Sequence, residues 1–145
     1  MNVADDQDRR IEAILGHKED LDFDEAVGTF FEHLKVNLQL PCDVTGIEDF
    51  RWEEPYILGV WDRAEHERLK KTQPSFEDRY KLLSIDRDTV SEWMLFRGED
   101  IAAHVRRIPD GRKFVLGLSE LEATDPTSAN YQLIDDYAVW LVNNR

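Results

Sequence analysis

The chain has 145 residues, 41% of them hydrophobic and 10% aromatic, enough to build one domain around a real core and too apolar to remain disordered. Its 31 Asp and Glu face 18 Lys and Arg, giving a formal net charge of -13, which repels nucleic-acid backbones and anionic lipid surfaces and attracts cations or basic partners. A lone Cys42 rules out an intramolecular disulfide and a cysteine-based zinc site.

The opening residues MNVADDQDRR lack the apolar core of a signal peptide. No apolar run approaches the roughly 20 residues of a membrane span. A single domain over 1–145, cytoplasmic and with no membrane association, is the expectation.

Ile11, Ile14 and Leu15, followed by Gly16, predict a short first helix with an acidic start. The segment 1–21 reads as an N-terminal extension. Phe23, Ala26, Val27, Phe30, Phe31, Leu34 and Leu38 then recur at spacings of three and four, with Asp22 and Glu25 placed to cap the start. This predicts a core-packed helix ending before Pro41.

From about Val44 the pattern turns to β-formers, in VTGI, YILGVW, YKLLSI, WMLF, IAAHV and KFVLGL, separated by Gly, Pro or Asp. Ala64 to Lys71 reads as a helical turn or linker closed off by Pro74, and Ile108-Pro-Asp-Gly-Arg112 as a tight reversal between two strands. After a loop at 124–128, Leu133, Ile134, Tyr137, Ala138 and Leu141 return to helical spacing and finish near Asn143. The fold class is α+β: a small curled antiparallel sheet or SH3-like barrel flanked by N-terminal and C-terminal helices.

There is no phosphate-binding glycine loop, no dinucleotide fingerprint, no zinc-protease motif and no nucleophile elbow in the sequence. His17, His33, His66 and His104 are scattered, and no two sit four residues apart, so they read as surface or structural groups. Asp20, Asp22 and Asp24 match the first three ligand positions of an EF-hand loop, yet Glu25 stands where that loop needs glycine and Phe31 where it needs a bidentate glutamate. Helix capping by Asp22 explains this stretch better.

Gly46 to Gly59 is the unusual segment. Glu48, Asp49, Glu53 and Glu54 fall within seven residues, interleaved with Phe50, Trp52 and Tyr56. Aromatic anchors that hold these hard oxygen ligands together would create a repulsion that a divalent cation relieves, and Ca2+, which accepts many oxygens in flexible geometry, fits better than magnesium. The plain alternative is aromatics facing the core and acids forming the solvated side, a reading that applies still more to Glu120, Glu122 and Asp125. Asp135 and Asp136, between apolar Ile134 and Tyr137 on the last helix, are the remaining candidates for ligands, or for pairing with Lys or Arg.

Leu40-Pro-Cys-Asp-Val-Thr-Gly-Ile-Glu-Asp-Phe-Arg-Trp-Glu-Glu-Pro-Tyr56, Pro74-Ser75 and Asn130 to Asn143 resemble the small acidic calcium-binding proteins typified by the cyanobacterial calcium-binding protein CcbP. The resemblance covers residue 25 onward. It implies a non-enzymatic protein that binds calcium through surface carboxylates, not through an EF-hand, and buffers or sequesters the intracellular ion. Two other readings remain: an acidic interaction module that docks a basic protein or mimics nucleic acid, with Trp52, Trp61, Trp93 and Trp140 as partial anchors, and a hydrolase using two carboxylates such as Glu53 and Asp136, for which generic acidity is the sole support.

Overall fold

The structure, a computed structural model, describes residues 3–16 and 21–145, with side chains from Asp6 onward. His17 and Asp20, the latter the first position of the EF-hand near miss, lie outside the described residues. In chain order the elements are α1 (Val3–Leu15), α2 (Phe23–Asn37), β1 (Cys42–Gly46), α3 (Glu54–Ile57), α4 (Arg63–Leu69), β2 (Arg79–Asp86), β3 (Ala102–Ile108), β4 (Lys113–Gly117), β5 (Leu121–Ala123) and α5 (Ala129–Asn144). Two 3-10 turns, Arg51–Glu53 and Leu118–Glu120, lead into α3 and β5.

The five strands form one antiparallel sheet in the order β4-β3-β2-β1-β5, with both edges open. This is the curled-sheet form of the expected α+β fold; the barrel does not close. The β3–β4 hairpin turns where the sequence predicts, with Gly111 at φ 76°, a value that glycine adopts without a Cβ penalty. Register places Val44 opposite both Tyr80 and Ala123, and Leu82 opposite Val105, so one face presents a continuous apolar layer. Phe30 and Leu34 of α2 and Ile134, Tyr137 and Leu141 of α5 close over it, all fully buried, each contributing about 1.5–3 kcal/mol.

Two predicted strands are not strands. YILGVW becomes α3 and an exposed turn, because Pro55 suits the first helical positions and no sheet edge covers Leu58 or Val60, which remain 70% and 72% exposed. WMLF lies in the irregular 87–100 segment, where Met94 is buried and Gly98 reverses the chain at φ 81°. Conversely, α2 begins as its sequence predicts, with the Asp22 carboxylate accepting from the Glu25 N–H at 2.8 Å. The excursion carrying α3 and α4 is tied to the sheet by Arg107, whose buried guanidinium donates to the carbonyls of Lys70, Lys71 and Gln73 and pairs with Asp78 and Asp110.

Ile11, Ile14 and Leu15 of α1 pack against the core. Its polar side meets α5, where Arg10 grips the buried Asp136 through Nε at 2.9 Å and Nη2 at 3.0 Å, and Gln7 donates to both Asp135 and Asp136. Removing one partner from a buried pair strands the other, so Arg10→Leu is expected to cost about 2–4 kcal/mol and to lower the thermal midpoint by several degrees. An unchanged midpoint would mean that the Arg10–Asp136 pair contributes nothing to stability.

Candidate metal site

The six acids singled out in the sequence do not form one cluster. Glu53 is completely buried, and its carboxyl already accepts the Ser75 hydroxyl at 2.6 Å, the Phe76 N–H at 2.9 Å and the Phe50 N–H at 3.3 Å, with His66 Nε2 at 3.0 Å. Tyr56 stacks on the His66 ring at 5.1 Å and Trp52 meets it edge-on at 5.5 Å, so the aromatics of this segment seal a polar knot instead of presenting a ligand. Glu53 is therefore a structural carboxyl. Glu54 is exposed at the start of α3, and Asp136 is committed to Arg10 and Gln7. Glu53 and Asp136 are thus committed to the fold, and Glu54 is not among the residues that line the cavity described next.

Glu48, Asp49 and Asp135 do come to one place, and Glu120 joins them. They line a cavity of ≈ 370 Å³ whose walls are α5 and the chain at Leu95 and Phe96. The backbone sets this up: the Ile47 N–H donates to the Glu120 carbonyl at 3.0 Å, extending the β1–β5 pairing by one step, so that Glu48 and Asp49, at and just after the Ile47-Glu48 bend, lie beside the 3-10 turn that carries Glu120. Helix α5 supplies Asp135 from the opposite wall.

Behind Glu120 stands a second acid, Asp100, which is 5% exposed and accepts from the Ser119 hydroxyl at 2.6 Å and the Tyr137 hydroxyl at 2.7 Å. Burial pushes the Asp100 carboxyl up to about 6, against the pull of those hydrogen bonds. Burial, then the nearness of Asp100, pushes Glu120 up to about 7, while the Leu95 N–H works the other way. A Cβ at Gly117 would lie 2.7 Å from Glu120 Oε2 and closer still to Asp100, so glycine makes room for both carboxyls.

By its sequence Glu120 reads as a solvated acid; the structure instead places it, largely buried, at the cavity. The run Leu116-Gly-Leu-Ser-Glu-Leu121 did hold a signal, since an acid so enclosed by apolar neighbours has little chance of full hydration.

As a donor set, four carboxylates at a shared cavity suit a hard cation of flexible coordination. Among the described residues, no three His, Cys, Asp or Glu side chains come close enough together to hold one ion; the acids surround the cavity without closing a cage. No described helix is long and apolar enough to cross a membrane.

No protein-family model matches the sequence, and no curated protein does. Two solved structures share the fold. Anabaena CcbP superimposes with a TM-score of 0.58 at 20% identity, over 97% of this chain and 93% of that one. A calcium-binding protein in its calcium-binding form gives the same score and identity over 99% and 97%. The resemblance expected from the sequence thus holds at the level of the fold.

Proposed function

We propose that the protein is a non-enzymatic, non-EF-hand calcium-binding protein that buffers or sequesters the ion in the cytoplasm. The observation that carries this reading is the gathering of Glu48, Asp49, Glu120 and Asp135 at one cavity in a chain of net charge -13. The shared fold with a calcium-binding protein supports it. Calcium entering the cavity relieves repulsion among acids held around it by β1, the 3-10 turn and α5; one oxygen of Asp135 accepts from Gln7 and one of Glu120 from the Leu95 N–H, which leaves these acids less committed than Glu53 and Asp136.

Thermal unfolding in chelator, calcium and magnesium tests this. Calcium at a thousandfold excess over its Kd stabilises by about 4 kcal/mol, a rise in midpoint of roughly 10 °C for a chain of this size, and magnesium is expected to do much less. Asp49→Asn and Asp135→Asn should each weaken calcium binding several-fold by calorimetry while leaving the chelator midpoint in place, and Glu54→Gln should leave binding unchanged. Small, equal shifts with both ions would mean diffuse screening and would move the reading to an acidic surface that docks a basic protein.

A further inference from the structure

On the side of the molecule carrying α3, the charge pattern reverses locally. A groove of ≈ 420 Å³ is lined by the apolar side chains of Trp52, Pro55, Trp61, Trp93 and Met94, together with Arg51, Arg97 and Glu92. Through Arg51 and Arg97, which line both, it continues into a recess of ≈ 620 Å³ that also takes in Phe96, Glu99 and Arg145. Three guanidiniums thus meet two carboxylates here, in a chain whose acids outnumber its bases 31 to 18.

Those guanidiniums are weakly engaged. Arg51 has no ion-pair or side-chain hydrogen-bond partner among the described residues, Arg97 donates to the Glu92 carbonyl at 2.7 Å, and Arg145 lies over the Phe96 ring with Glu99 at 3.8 Å. The tryptophans are similar. The indole N–H of Trp52 is taken by the Pro74 carbonyl at 2.6 Å, but those of Trp61 and Trp93 have no acceptor among the described residues. Trp61 meets Tyr56 edge-on at 5.2 Å and is still 55% exposed, so the groove presents aromatic surface left open among the described residues.

We propose that this groove binds a small ligand made of an aromatic ring and an anionic group, phosphate or carboxylate. Indole rings accept a planar ring by offset or edge contacts, and the guanidinium fork matches both anions in a bidentate manner. The volumes fall in the range of small-molecule sites, about 300–1,000 Å³. Arg51 and Arg97 disfavour the obvious competitor, an aromatic cage for an organic cation, by placing like charge beside it. The recess adjoins the acidic cavity across Leu95 and Phe96, which line both, but the proposed site uses none of that cavity's four acids and stands whether or not calcium binds there.

Calorimetric titration of the full chain in chelator, with 1-naphthyl phosphate and 1-naphthylacetate as probes and inorganic phosphate and 1-naphthol as the ringless and uncharged controls, decides it. At least one naphthyl anion is expected to bind about tenfold more tightly than either control, and the stronger of the two identifies the anion. Arg51→Gln with Arg97→Gln should weaken that binding about tenfold at an unchanged thermal midpoint, since both side chains are exposed. Separately, Trp61→Ala should weaken it about tenfold with a small loss of midpoint from its edge contact with Tyr56. Binding of 1-naphthol equal to that of both anions, no binding of either anion at millimolar concentration, or indifference to the arginine changes would each overturn the proposal.

Discussion

Glu53→Leu is expected to destabilise the protein by about 3–5 kcal/mol, the largest effect of any single substitution in the acidic segment, and to leave calcium binding by the surviving folded fraction unchanged. The carboxyl is the shared acceptor for the Phe50 and Phe76 N–H groups and the Ser75 hydroxyl, with His66 Nε2 beside it. Leucine has nearly the right size but no acceptor, so several donors stay buried and unsatisfied at once. Glu53→Gln should cost much less, about 1–2 kcal/mol. Its oxygen can keep the two backbone N–H groups, the Ser75 hydroxyl can rotate, and only the contact with His66 demands a change of tautomer. Chemical unfolding of the two variants in chelator gives the comparison directly. A glutamine as damaging as leucine would mean that charge on Glu53, not hydrogen bonding, holds the knot. A leucine variant as stable as the parent would remove the structural role.

That contrast also marks what the sequence could and could not reveal. Helices α2 and α5 were legible because their apolar residues repeat at 3.6-residue spacing over four turns or so, and β2, β3 and β4 because each apolar run is bounded by turn residues and matched to a partner of similar length. YILGVW misled because β-forming residues with no sheet edge beside them do not make a strand; Pro55 then decided for a helix. Within the acidic segment, local spacing could not separate Glu53 from Glu48 and Asp49. What separates them is Ser75 and Phe76, more than twenty residues away, which enclose one acid and leave the other two at a cavity. Asp135 and Asp136, one helical step apart, divide less completely: Gln7 donates to both, but only Asp136 is buried and held by Arg10, while Asp135 also lines the cavity. The family resemblance reached the fold because it drew on texture spread along most of the chain, whereas burial of individual acids is set by long-range contacts that texture does not encode.

Without calcium, stability is expected to fall as pH rises from about 4.5 to about 7.5, the reverse of what an acidic protein with salt-bridged carboxylates usually shows. Asp100 and Glu120 hold their protons more tightly folded than unfolded, with values pushed up to about 6 and about 7. Below their ordinary range both are neutral in either state and oppose folding least. As pH climbs, the unfolded chain releases its protons first, the folded chain retains them, and the free energy of folding weakens until both groups have ionised. Each carboxyl taken alone accounts for roughly 3 kcal/mol at the upper end, and the pair for less than twice that if partial solvation of Glu120 and the coupling of the two titrations are allowed for. Asp86 and Asp110, held at about 2 by their partners, act in the opposite direction, but their contribution is complete above the ordinary carboxylate range and does not mask the slope. Glu120→Gln fixes that side chain in its neutral form, keeps an acceptor for the Leu95 N–H, and should flatten the decline while raising stability at pH 7.5 by about 2 kcal/mol. Urea midpoints measured in chelator across this range carry the decision. A flat or rising profile in the parent would show that the two carboxyls are better solvated than their burial implies, and a profile unaltered by Glu120→Gln would assign the slope elsewhere.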